Sequence, residues 1–369
     1  MTTHKLKIPL ARPDIGKDEI QAVLETMRSG WVTQGKKVEE FEESFAKYCG
    51  AKYGVAVNTG TAALHLALAA INIKRADEVI TTPLSCVATT NPMVYLNAKP
   101  TFADVDPVTL NIDPEAVKKQ ITHRTKAIVP VHLFGHPIDL DPLMETAEKH
   151  GLHFIEDAAQ AHGAKYKGKR VGSFGHISCF SFYADKLITT VEGGMALTND
   201  EELAEKMRLL RAFGMNKKEK FHHPVLGYNY KMSDIHAAIG LIQLKKLDYY
   251  IQRRRKNIEH LKNLIHDANL TMPAEQPYAY NVYYVCHILA RKNKDKIVEH
   301  LEKSGIELRP LLSFIPEQPP YRKYRYNLGD LQVARNAHQK GFYFSNSPQL
   351  TQAELEYIST KLEEATGTT

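Results

Sequence analysis

The chain has 369 residues, 43% apolar and 24% charged, the balance of a folded protein of one or two domains. That balance excludes a disordered chain, a collagen and a coiled coil. Lys plus Arg number 48 against 42 Asp plus Glu, so the net charge is +6, too mild a bias for a nucleic-acid signature.

What recurs along the chain is strand, then helix. Residues 53–58 (YGVAVN) form a Val-rich run that stops at Thr59-Gly60-Thr61, and 62–70 then reads as a helix. Residues 78–82 are a second strand, closed by Pro83. Residues 99–104 are a third and 126–132 a fourth, with a helix over 142–150. Residues 152–156 are a fifth strand, and 177–182 and 194–198 follow. This alternation predicts an α/β sheet, largely parallel, with helices on both faces. Beyond Asp234 the pattern changes. Residues 235–263 read as a long helix whose Arg253-Arg254-Arg255-Lys256 run fits a solvated face. Strands at 283–289 and 306–311 and helices at 294–304 and 352–365 follow, with Asn293 as an N-cap. A large domain over residues 1–245 and a smaller α+β domain over 246–369 are expected.

No run approaches the roughly 18 apolar residues of a membrane helix. The opening stretch, residues 1–14, lacks the apolar core of a signal peptide, so a cytoplasmic protein is expected. Cys49, Cys86, Cys179 and Cys286 have no C-x-x-C spacing and are expected as reduced thiols. His162 and His222-His223 show no metal-ligand spacing, and no metal is expected.

The most informative stretch is 154–200. Asp157 follows an apolar strand directly, which places it at a carboxyl end, the usual ligand crevice of an open α/β sheet. An acid there either caps the next helix or serves a ligand. Lys186 follows the strand at 177–182. Such a lysine is either a surface residue or, desolvated, a nucleophile able to form a Schiff base. Glu192-Gly193-Gly194 is a turn signal. Asn58-Thr59-Gly60-Thr61 lies at a strand-to-helix junction, where free N–H groups and the helix dipole favour an anion. Together these parts match pyridoxal 5′-phosphate (PLP). That cofactor needs a lysine, a carboxylate that keeps its pyridine nitrogen protonated, and a dipole-backed cup for its phosphate.

The motifs then extend along nearly the whole chain. They are SGWVTQGKKVEEFEESFAKYCG at 29–50, NTGTAALHLAL at 58–68, FADVDPVTLNID at 102–113 and RTKAIVPVHLFGHPIDLDP at 124–142. EDAAQAHGA at 156–164, the lysine segment, and GYNYKMSDIHAAIGLIQL at 227–244 complete the series. In this order they resemble the DegT/StrS family of PLP-dependent sugar aminotransferases. The resemblance implies the aspartate-aminotransferase fold (PLP fold type I), a large mixed-sheet α/β/α domain with a smaller C-terminal α+β domain. Among members the chain looks most like the perosamine-synthase type, which aminates C-4 of a nucleotide-linked 4-keto-6-deoxyhexose.

The family's roles carry over where the motifs match. By resemblance Lys186 is the Schiff-base lysine, Asp157 pairs with the pyridinium nitrogen and Gln160 bonds the phenolic oxygen. Gly60, Thr61 and Ser181 hold the phosphate. Asn229 reaches it from the neighbouring subunit, which implies a homodimer with shared active sites. L-glutamate, or glutamine, is the implied amino donor. Three positions depart from the common pattern. Cys86 stands where an aromatic residue often stacks on the ring, and Tyr183 replaces a frequent His. Val191 stands where Gly is usual, and a β-branched residue disfavours φ > 0, so the turn there is expected to differ.

Candidate substrate contacts are Trp31, Tyr183, Lys231, Arg309 and Phe314. Trp31 reads equally as core, Arg309 as a surface salt bridge, and Phe314 as core. Three rivals stand beside the aminotransferase: other nucleotides (UDP or dTDP), a PLP-dependent sugar dehydratase, and a non-enzymatic regulator of the same fold. A dehydratase relative carries His in place of the lysine, so Lys186 favours transamination.

Overall fold

The structure, a computed structural model, describes residues 8–215 and 221–367. Residues 1–7, part of the opening stretch read for a leader, lie outside the described residues. Two amphipathic helices, α1 (Lys17–Arg28) and α2 (Lys36–Cys49), come first. The main sheet is built from β1 (Tyr53–Val57), β2 (Glu78–Thr81), β3 (Lys99–Phe102), β4 (Thr125–Val129), β5 (His153–Asp157), β6 (Ile177–Ser181) and β7 (Gly194–Thr198). Their order is β1-β7-β6-β5-β4-β2-β3. The strands from β6 to β3 run parallel, and β7 is antiparallel to both neighbours. The sheet is therefore mixed rather than largely parallel at this edge. The cause is local: the segment between β6 and β7 holds no helix for a crossover, so β7 turns back antiparallel.

The middles of these strands are apolar because helices cover both faces: Val55 to Val57, Val79, Ile80 and Ala127 to Val129 are all buried. The helix α3 (Gly60–Ala70) is buried nearly all round, which explains its uniformly apolar sequence. Thr59 caps it, with Oγ1 accepting the Ala62 N–H at 3.1 Å.

One helix, α4 (Asp234–Leu264), runs from the large sheet into the C-terminal region without a break. Ser233 caps it, and its first half packs on α1 and α2. The expected domain boundary near residue 245 falls inside it. A four-stranded antiparallel sheet follows, from β8 (Leu270–Thr271), β9 (Val285–Ala290), β10 (Leu308–Pro310) and β11 (Gly341–Ser345), in the order β8-β9-β11-β10. Helices Lys294–Lys303 and Gln352–Thr366 bury their apolar faces against it. Asn293 does precede the first of these, but at φ 59° its side chain makes no capping bond. The N-terminal segment reaches the C-terminal region as well. Ile8 pairs with Ile306, and Arg12 meets Glu354 at 2.9 Å. Arg254, within the basic run, is buried rather than solvated, and its Nη1 donates to the Tyr284 and Asn346 carbonyls at 2.7 Å each. Those two bonds fasten the long helix to the C-terminal sheet.

Candidate active site

Asp157 is the last residue of β5 and is buried. Its Oδ2 accepts the Thr89 hydroxyl at 2.8 Å and its Oδ1 the Ala159 N–H at 3.2 Å. Thr89 donates to the carboxylate, so the contact at 2.9 Å from Ser85 must supply Thr89's own hydrogen bond. Burial pushes the Asp157 carboxyl above its usual range, against Thr89, the Ala159 N–H, His132 and Lys186. Among the described residues no cation forms an ion pair with it.

Glu156 faces the opposite side of the sheet and is fully buried. It accepts His132 Nε2 at 3.1 Å, Ser178 Oγ at 2.5 Å and the Phe174 N–H at 3.0 Å. His132 Nδ1 accepts the Ile138 N–H at 3.1 Å, which assigns the ring proton to Nε2. The His132 N–H in turn donates to the Asp157 carbonyl at 3.0 Å, so this network braces the strand end that carries Asp157. Gln160 Oε1 accepts the Phe134 N–H at 2.7 Å, which leaves its NH2 as the group available to an oxygen acceptor.

Lys186 lies in the loop after β6, with its N–H on the Tyr183 carbonyl at 3.0 Å. Its Nζ is 3.1 Å from Tyr284 Oη and 3.4 Å from Asp185 Oδ1. Burial favours the neutral amine, but Tyr284 and Asp185 outweigh it and hold the ammonium form. The start of α3 lies beside Ser181, and a Cβ built on Gly60 would stand 2.7 Å from Ser181 Cβ. Gly194 on β7 meets the Thr59 carbonyl in the same way, with no room for a side chain. Glycine at both points leaves a cradle at a helix N-terminus, with the Ser181 hydroxyl beside it. A buried carboxylate at a strand end, an amine coupled to it electrostatically and this cradle together fit PLP.

The remaining candidates divide. Cys86 is exposed and opens the turn Val87–Thr89 that delivers Thr89 to Asp157. Asn229 is exposed, and Tyr230 beside it accepts the Asn58 N–H at 2.9 Å, which lays this segment along the end of β1. Lys231 Nζ sits 4.7 Å from the centre of the Phe213 ring. Tyr183 is about half exposed at the mouth of the lysine loop. Arg309 pairs with Glu307 at 2.7 Å, which realises the salt-bridge alternative. Trp31 is 61% exposed and lines a different groove, beside Asp234, Ala238 and Leu241. Phe314 is corrected: it is 1% exposed, pairs with Leu84 and stacks on His338, so it is core and offers no face to a substrate. Val191 is also corrected. It adopts φ 71° despite its branched side chain, and the Thr189 hydroxyl accepts its N–H at 2.8 Å. Thr89, Asp185 and Tyr284 were not read as site residues. Only Asp185 carried a local signal, its place beside the lysine.

Fold and site together define a pyridoxal-phosphate enzyme of fold type I. The model of the DegT/DnrJ/EryC1/StrS aminotransferase family matches residues 13–363, and the chain belongs to that family. It is similar to GDP-perosamine synthase of Caulobacter vibrioides, 39% identical over 97% of this chain and 98% of that one. It is also similar to GDP-perosamine synthase of Escherichia coli O157:H7, 36% identical over 97% and 98% of the two chains. Among solved structures it resembles Helicobacter pylori PseC, an aminotransferase of pseudoaminic acid biosynthesis. That match has 32% identity and a TM-score of 0.92 over 98% of this chain and 100% of that one. The protein is a PLP-dependent sugar aminotransferase, and a structural relative is known in PLP and PMP forms. Among the described residues, no helix is long and apolar enough to cross a membrane.

Proposed function

We propose that the protein transfers an amino group from L-glutamate to C-4 of a nucleotide-linked 4-keto-6-deoxyhexose, with the GDP-linked mannose derivative favoured. The net exchange yields 2-oxoglutarate and a 4-amino-4,6-dideoxysugar nucleotide. The observation that carries the chemistry is Asp157 at the end of β5 next to the Gly60–Ser181 cradle at the end of the neighbouring β6, with Lys186 in the loop that follows β6 and its charge felt at Asp157. The GDP preference is supported by the perosamine-synthase relatives and by their coverage of nearly the whole chain.

PLP, when bound, supplies an electron sink for the carbon that loses its proton. Asp157 would hold the pyridine nitrogen protonated, and the cofactor's cation would answer its buried charge. Gln160 would donate its NH2 to the phenolic oxygen. The N–H groups of Gly60 and Thr61 and the hydroxyls of Thr61 and Ser181 would hold the phosphate. Lys186 anchors the cofactor and, once displaced, moves the proton. Cys86 would stand beside the ring, where a thiol cannot stack as an aromatic side chain would. Tyr183, Lys231 and Arg309 remain candidates for the sugar nucleotide, Arg309 by exchanging Glu307 for a phosphate or carboxylate.

The working unit in this reading is a cytoplasmic homodimer in which Asn229 completes the partner's phosphate site. Phe221 and Leu226, 87% and 92% exposed just before Asn229, support a contact there. The free state of all four cysteines suits a reducing compartment. The large and small domains divide within α4, near residue 245. The test is product mass after incubation with L-glutamate and GDP-, UDP- or dTDP-4-keto-6-deoxyhexoses. Exchange of the keto oxygen for an amine on the GDP sugar supports the reading. Loss of water instead of gain of nitrogen would replace it with a dehydratase.

A further inference from the structure

Behind Lys186 the crevice closes on a polar cavity of about 30 Å3. Its walls include Asp185, Tyr284, Tyr343, Arg254 and the extended N-terminal segment at 10–14. Lys186 Nζ faces this wall: the centre of the Tyr284 ring is 4.5 Å away, its hydroxyl 3.1 Å, and Asp185 Oδ1 3.4 Å. Tyr284 is itself fixed at both ends of its peptide unit. Its carbonyl accepts Arg254 Nη1 at 2.7 Å, and its N–H donates to the Phe134 carbonyl at 2.9 Å. Phe134 is the residue whose N–H orients Gln160.

We propose that Tyr284 is a positioning residue which, with Asp185, forms a rear seat for Lys186 whenever the lysine is not bonded to the cofactor. This rests on the assignment of Lys186 as the cofactor lysine. An ammonium has three N–H donors. The seat takes one through the Tyr284 oxygen at 3.1 Å, Asp185 Oδ1 attracts the charge from 3.4 Å, and the other donors can turn to the front of the crevice. Capture of PLP forms one C=N bond between Nζ and the aldehyde carbon and expels one water. Before that, the ammonium must give one proton to solvent. The seat therefore sets the pH at which capture begins, and it receives the lysine again when the amino donor displaces it.

The charged and titratable groups around Nζ come from several elements. Asp185 lies on its own loop, Tyr284 just before β9, Tyr343 on β11 and Arg254 on α4. Asp157 on β5 and His162 beyond it also feel its charge. Tyr284→Phe keeps all of these and the ring, and deletes only the hydroxyl. With that acceptor gone the ammonium is less favoured, so more neutral amine is present at a given pH.

The experiment mixes the full-length apoenzyme with PLP across mildly acid to mildly alkaline pH and follows the visible absorbance gained on capture. For Tyr284→Phe the capture rate at the acid end rises about tenfold, and the profile moves about one pH unit lower. Asp185→Asn shifts it the same way. A Tyr284→Phe profile that coincides with wild type, or that is slowed equally at every pH, overturns the proposal. Lys186→Ala serves as the control. A capture band in that variant would sink the lysine assignment itself, whatever Tyr284→Phe does.

Discussion

At Asp157 a buried carboxylate forms no ion pair among the described residues, and the cofactor's protonated ring would supply one. Asp157→Asn keeps the shape and removes the charge. It should lower the rate of the half-reaction with L-glutamate by at least about a hundredfold while leaving the melting temperature unchanged or higher. An unaltered half-reaction would remove Asp157 from the chemistry. Asp157 and Gly60 stand out in the sequence because each marks a strand or helix end, Lys186 because its loop follows an apolar strand, and strand ends of α/β sheets are where ligands bind. Thr89 and Tyr284 were not. Each meets its partner across a long stretch of chain, 68 residues for Thr89 to Asp157 and 98 for Tyr284 to Lys186. No local pattern marks such a pair. Phe314 failed for a related reason: an aromatic residue in a strand has the same signature on either face, and here the pairing with Leu84 turns it inward.

At the scale of elements, the strand–helix alternation gave the central sheet nearly strand for strand, because buried strands are continuous apolar runs. Its edge was less legible. Direction depends on what joins β6 to β7, and that segment is irregular. The same segment holds the strained Val191. A left-handed conformation costs a branched residue about 1–2 kcal/mol, partly offset by the stiffness it lends the unfolded chain. Val191→Gly should therefore raise stability modestly, by up to about 1 kcal/mol, read as a higher urea midpoint at unchanged slope. A lower midpoint would show that the Val191 side chain contributes packing that its exposed position does not suggest.

For the molecule as a whole, acid stability follows from buried carboxylates. Burial would raise the Glu156 carboxyl, but His132, Ser178 and the Phe174 N–H outweigh it and carry its pKa below the usual 4.5. A carboxylate with a depressed folded pKa stabilises fully above its unfolded value, and that contribution is lost as pH falls through the folded one. Stability should thus fall as pH drops below about 4.5, and Glu156→Gln should flatten part of that slope while lowering stability at neutral pH. An unchanged acid slope in the variant would assign the effect to other carboxylates, Glu19 and Glu78 foremost.

The central claim is that Lys186 binds PLP and that L-glutamate discharges its amino group there. The most direct measurement is the near-ultraviolet and visible absorbance of the purified protein before and after L-glutamate. The account predicts a yellow band that gives way to the pyridoxamine form on adding glutamate, and no such band in Lys186→Ala. A band that persists in Lys186→Ala, or one that ignores both glutamate and glutamine, would contradict it.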